Sequence, residues 1–189
     1  LDSGRGYLMA SADNNYHYSL EGVDLLPSGI VEKLIRNDEL FRLLKYNDNP
    51  YDPLKTITIA DKKAILNQDI GNSSRRIYFT AFNDFVIDSE ETQLRIYNCG
   101  FRPRNNVLVA QYVGVDVVCH NKLITIKDAD GRDSDRLVKI LQILMIELNG
   151  NTIKGGIGVL TPIENREVPL LSFNDNFQGY RLKMEIAGD

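Results

Sequence analysis

The sequence predicts an α+β fold: a mostly antiparallel sheet with helices packed on one face, plus an extended N-terminal arm. Three observations lead there. Val107–His120 is a long apolar run that enters an acidic, Gly-containing turn, Asp128-Ala-Asp-Gly-Arg-Asp133, and then an amphipathic helix that stops at Asn149-Gly150. Several further runs alternate with period two, the mark of half-buried strands. Helical periodicity is too sparse between those runs for a doubly wound parallel sheet.

The elements follow in order. Residues 1–27 carry Gly, Ser, Asn and Tyr without sustained periodicity and read as an extended arm. Tyr7, Tyr16 and Tyr18 are costly to leave in water, which favours docking on something, often a neighbouring subunit. The domain then runs from 28 to 189. Ser28 is the expected cap of a helix carrying Ile30, Val31, Leu34 and Ile35 on one side. Asp38 is the expected cap of a second, carrying Leu40, Phe41, Leu43 and Leu44. Asn47-Asp-Asn-Pro50 and Asp52-Pro53 end it. A short helix over Asp61–Leu66 follows.

Arg76–Phe82 and Gln93–Cys99 read as strands, separated by an acidic loop or strand edge from Asp84 to Glu91. Gly100–Asn106 reads as a loop, Val107–His120 as the longest strand, and Lys122–Lys127 as a segment that extends it or pairs with it after a turn at Asn121. Asp133 or Ser134 is expected to cap the long helix, whose stripe is Leu137, Val138, Ile140, Leu141, Leu144, Met145 and Leu148. Gly150 suits the left-handed position just past its end. Ile157–Ile163 and Phe177–Ile186 close the sheet. In the last strand Tyr180, Leu182, Met184 and Ile186 form a buried face, and Arg181, Lys183 and Glu185 a wet one.

Composition bounds the function. The chain has 189 residues, 43% hydrophobic and 25% charged, as ordinary globular proteins do. A net charge of -4 argues against a dedicated nucleic-acid binder, which carries a basic excess. No uncharged apolar stretch is long enough to span a membrane. Cys99 and Cys119 form no disulfide framework, and each reads as a small buried hydrophobe. Asn72-Ser73-Ser74 matches a glycosylation sequon, but nothing else points to secretion, and synthesis in a reducing cytoplasm is expected.

No catalytic motif stands. Cys119 and His120 are strand neighbours and point to opposite faces, so they cannot share an ion or form a dyad. Counting from Asp128, Gly131 falls fourth and Lys139 twelfth, which breaks the calcium-loop pattern. Lys154-Gly-Gly-Ile-Gly158 has its Lys before the glycines and a strand after, unlike a phosphate loop. Two His residues admit no Ser-His-Asp arrangement. The expectation is therefore no catalytic residue, no metal, no cofactor and no enzymatic activity. Arg95, Arg102 and Arg104 make a modest basic set that suits phosphates or an acidic partner.

A resemblance adds what residue chemistry does not. Gln93-Leu-Arg-Ile-Tyr-Asn-Cys-Gly-Phe-Arg-Pro103 and Val113-Gly-Val-Asp-Val-Val-Cys-His-Asn121 resemble a strand, a loop and a strand ending in a His/Asn turn in the tail terminators of tailed bacteriophages, which are neck proteins. Asp130-Gly-Arg-Asp-Ser-Asp-Arg136 leads into a helix ending Leu148-Asn-Gly150, as in such proteins. Ile157-Gly-Val-Leu160 and Phe177-Gln-Gly-Tyr-Arg-Leu-Lys-Met184 resemble the closing strands. The likeness covers about half the chain. It implies a structural virion protein, assembled in the host cytoplasm, that forms a hexameric ring at the head-proximal end of the tail. Such a ring ends tube polymerisation and joins tail to head. The implied partners are further copies of the chain, the tail tube protein, a head-completion or connector protein, and genomic DNA passing through the lumen, with no membrane. The arm and the 84–91 loop fall outside the pattern. Another neck component, or a small nucleic-acid-binding accessory protein, are the competing readings, with a metal-dependent hydrolase behind them.

Overall fold

A computed structural model describes residues 25–69, 71–81, 89–103, 109–153, 158–163 and 168–187. Four helices appear among them: α1 (Leu26–Leu34), α2 (Asp38–Lys45), α3 (Ile59–Leu66) and α4 (Arg136–Leu148). The strands are β1 (Ile77–Tyr78), β2 (Thr92–Pro103), β3 (Val109–His120), β4 (Thr125–Lys127), β5 (Asp133–Asp135), β6 (Asn151–Thr152), β7 (Val159–Pro162), β8 (Leu170–Asn174) and β9 (Phe177–Ala187). The main sheet has the order β1-β2-β3-β9-β7-β6, and β4 and β5 form a separate ribbon. All pairings are antiparallel except β1 with β2. The α+β expectation holds.

Strands β2, β3 and β9 are the frame. Leu94, Ile96, Val113, Val115, Val117, Leu182, Met184 and Ile186 lie on one face and are buried against Ile30, Leu34, Phe41, Leu44, Ile140 and Leu144 of the helices. Each such side chain removed from water contributes roughly 1.5–3 kcal/mol. Beyond the register shared with β9, the β2–β3 hairpin continues through the rungs Arg102–Ala110 and Pro103–Val109. Strand β9 has a divided outer edge. Strand β8 pairs with its first half and β7 with its last.

Local chemistry differs from expectation at several places. Helix α1 starts at Leu26, because Pro27 supplies the preset φ of a first turn. Ser28 donates its hydroxyl to the Leu25 carbonyl (2.7 Å) and caps nothing. The expected domain boundary after residue 27 thus falls inside α1, and Leu26 is fully buried. Residues 1–24 of the expected arm lie outside the described residues. Asn37, not Asp38, caps α2 by accepting from the Leu40 N–H (2.9 Å). Helix α3 begins at Ile59 with a reciprocal Thr58–Asp61 capping box, two residues earlier than its apolar pattern suggests.

The expected loop at Gly100–Asn106 is strand as far as Pro103. A register shift between Asn98 and Gly100 absorbs the irregularity. Asp133 and Ser134 belong to β5, which pairs with β4. Asp135 takes the capping role and accepts from the Leu137 and Val138 N–H groups (2.7 and 3.1 Å). Gly150 has φ +73°, as expected just past α4. Of the expected strand Arg76–Phe82, Ile77–Tyr78 is strand, and Phe82 lies outside the described residues. Glycines 155 and 156 and acids 84 and 88 also lie outside them.

Among the described residues Arg136 is the largest fully buried side chain. Its guanidinium donates to four carbonyls: Leu123 (2.8 Å), Leu43 (2.6 Å), Tyr46 (2.8 Å) and Asn47 (2.6 Å). Leu43 lies in the last turn of α2 and Tyr46 and Asn47 follow directly on it, where helical carbonyls lack partners and the helix dipole favours a cation. One side chain therefore ties α2, the 3-10 turn Asn121–Leu123 and the start of α4 together.

Candidate functional site: the polar face of the sheet

Alternation sends the remaining residues of β2, β3 and β9 to the opposite face. Here the pattern changes character. Arg95, Asp116 and Arg181 stand directly across from one another on the three strands. Asp116 is fully buried. Arg181 grips it with two parallel bonds, Nε to Oδ1 (2.8 Å) and Nη2 to Oδ2 (2.7 Å). The Tyr97 hydroxyl also donates to it, 3.1 Å from each oxygen. Arg181 is pushed above the ordinary arginine range, chiefly by its bond to Asp116. Burial and the Asp116 charge raise Tyr97 above the ordinary phenol range.

The network continues along β2. Arg95 Nη2 donates to Gln93 Oε1 (3.3 Å), the Gln93 amide donates to Glu91, and Glu91 pairs with Arg76 (3.0 Å). Arg95 also lies 5.1 Å from the Phe173 ring centre on β8. Burial lowers its basicity, yet arginine stays charged. Two glycines make room. A Cβ on Gly114 would come within 2.6 Å of the Tyr97 ring, and one on Gly179 within 2.0 Å of the Val117 carbonyl oxygen. Glycine at 114 lets Tyr97 lie across β3 and reach Asp116.

Chemically this is a holding device. Arginine does not release a proton at working pH, and both Asp116 oxygens are taken up by Arg181 and Tyr97. Among the described residues no group of three His, Cys, Asp or Glu is placed to hold a metal ion. Beside Arg181, a cleft of ≈ 330 Å³ opens where β9 has neither β7 nor β8 as neighbour. Pro162, Ile163, Val168, Pro169, Leu182 and Lys183 complete its lining.

The expected basic set separates. Arg95 is 6% exposed and engaged inside the network, Arg102 is exposed near the hairpin end, and Arg104 lies outside the described residues. Cys119 and His120 take opposite faces, as alternation requires. Cys119 sits in the apolar core, where burial raises its thiol. His120 packs edge-on against Phe177 (5.0 Å) and accepts from the Lys122 N–H (3.3 Å). Cys99 is exposed at the register shift, against the expectation of burial, and both thiols are free. Asp128 accepts from the Asp130 and Arg132 N–H groups (3.0 and 2.9 Å), which makes its loop a turn. Glu91, expected in a wet loop, is 5% exposed. Arg181 and Arg136 escaped sequence reasoning. A signal for Arg181 existed: Asp116 inside Val113–His120 needs a buried partner.

The profile of the YomW family matches residues 37–186, from the cap of α2 to the last residue but one of β9. The chain belongs to the YomW family. YomW proteins are phage-derived and Bacillus prophage-like, so the phage origin implied by the resemblance stands at that level. The matched span holds the described sheet except Ala187, and every described helix except α1. No curated protein matches the chain. No helix among the described residues is long and apolar enough to cross a membrane.

Proposed function

We propose that this YomW-family chain is a structural virion protein of a tailed phage. In this reading it is the tail terminator, a hexameric ring at the head-proximal end of the tail that ends tube polymerisation and joins tail to head. The observation that carries the reading is the phage-derived family match over nearly the whole sheet. It takes in the segments that resemble tail terminators. The hairpin supports it: its last rungs leave Phe101 59% exposed next to Arg102, an aromatic–cation pair suited to a protein contact. The same reading makes the chain a non-enzyme, with Arg102 and Arg104 as contacts to a partner or to DNA in the lumen. Further copies of the chain, the tube protein and a head-completion or connector protein are its partners.

Immunogold labelling of purified virions tests this. Label at the head–tail junction, with tails of uncontrolled length when the chain is depleted, is the expected result. Absence of the chain from virions overturns it. Cross-linking to the capsid portal and not to the tube protein transfers the chain to another neck position.

A further inference from the structure

The outer edge of β9 changes neighbours part-way along. Strand β8 pairs with it as far as Leu170–Tyr180, and β7 takes over at Pro162–Met184. Two backbone bonds cross the interval. The Arg181 N–H donates to the Pro169 carbonyl (3.4 Å), and the Lys183 carbonyl accepts from the Ile163 N–H (3.1 Å). In an antiparallel strand the N–H and C=O of one residue point to the same neighbour. The Arg181 carbonyl therefore faces this interval too, and Pro169 has no N–H to return to it. The ≈ 330 Å³ cleft lies here.

The cleft is apolar apart from Arg181 and Lys183, which alternation puts on one face of β9. Asp116 takes Nε and Nη2 of Arg181, which fixes the guanidinium and leaves Nη1 over. Lys183 has no carboxylate partner among the described residues. Within the register that β2, β3 and β9 share, Arg95, Arg181 and Lys183 outnumber Asp116 and Glu185 on this face, although the whole chain is at -4. The fitting ligand is an anion with an apolar body and a main-chain donor. The carboxyl end of a peptide has all three parts. The cleft stands at the small end of ligand pockets, about 300–1,000 Å³, so it suits a chain end and not a folded surface.

We propose that this cleft captures the carboxyl-terminal end of an extended partner peptide whose last residue is apolar. The carboxylate sits between Arg181 Nη1 and the Lys183 ammonium, the last side chain among Pro162, Val168 and Pro169, and a peptide N–H donates to the Arg181 carbonyl. The contact does not depend on the ring reading. Fluorescence anisotropy of the full chain with fluorescein-Gly-Ser-Gly-Ala-Leu tests it. The probe with a free carboxylate is expected to bind saturably, and its carboxamide about tenfold or more weakly, the loss of a charge-assisted hydrogen bond. Lys183→Gln is expected to weaken the free acid by a similar factor. Val168→Asp, at a site 40% exposed, is expected to abolish binding by placing a carboxylate in the cleft, with the circular dichroism of both variants unchanged. Arg181 is left intact because Asp116 depends on it. Equal binding of acid and carboxamide overturns the proposal. So does binding indifferent to both substitutions, or no binding of the free acid up to about 1 mM.

Discussion

The two faces of the central sheet are built from opposite chemistries, although much of both is buried. On the helix side Val115 and Leu182 are neighbours in the register and lie in the apolar core. One residue along, Asp116 and Arg181 are neighbours on the other side and exchange two charged bonds. Apolar burial is tolerant, because a shortened side chain loses contacts in proportion. A buried ion pair is intolerant, because the charge left behind has nowhere to go. The helix side should therefore degrade gradually under substitution, and the polar side abruptly.

Arg136 is the exception on the helix side and should show the largest effect. Arg136→Ala leaves four carbonyls without donors and opens a void, at a cost of about 3–5 kcal/mol. Urea denaturation checks this. A loss under about 1 kcal/mol would mean that water replaces the guanidinium and that the side chain is not a tie between helices.

The ion pair gives the sharpest comparison. Asp116→Ala and Arg181→Ala should each destabilise strongly, Asp116→Ala by about 3–5 kcal/mol. The double variant should cost less than the sum, with a coupling energy of about 1–3 kcal/mol. Leu182→Ala should cost a comparable amount, about 2–5 kcal/mol, but combine additively with either change. Strict additivity within the Asp116–Arg181 pair would erase the proposed distinction between the faces.

Gly114→Ala tests the glycine that admits Tyr97. The new methyl would sit within 2.6 Å of the ring, so the ring must swing away and loosen its bond to Asp116. A loss of about 1–3 kcal/mol is expected by overpacking. Combining it with Tyr97→Ala, which empties the space, should remove most of the added cost in a thermal melt.

The smallest effect belongs to Asp61. The bond from Lys45 (2.7 Å), helped by the Thr58 N–H, holds its carboxyl down to about 2. A depressed folded pKa means stability that is present above the unfolded value and lost as pH falls through the folded one. The window is therefore about pH 4 down to pH 2. Because the pair touches solvent, the contribution is under about 1 kcal/mol. Stability measured from pH 5 to pH 2 should fall less steeply in Asp61→Asn than in the parent.

Much of the frame was legible in the chain because period-two alternation fixes which residues share a face. Val113, Val115 and Val117 could be placed opposite Asp116 and His120 before any coordinates. The end of α4 was legible because Gly150 suits a positive φ. Other features depend on pairing across distance. Arg181 reads as wet from its own strand, and nothing local brings it to Asp116 sixty-five residues away. Arg136 looks like a first-turn surface residue until α2 supplies its carbonyls. Strand β8 was missed because its run is short, although Asn174-Asp-Asn176 marks the turn into β9. Asp133 and Ser134 were the expected caps of α4, one or two residues too early. The β4–β5 pairing, which local sequence does not encode, takes both into a strand and leaves the cap to Asp135.

The proposed function requires a ring with a lumen. Negative-stain imaging of the purified chain, with mass photometry on the same sample, tests it most directly. Six-fold rings with a central opening and a mass near six times 21.4 kDa are the predicted result. A homogeneous 21.4 kDa monomer at high concentration, with no ring in the images, would contradict it.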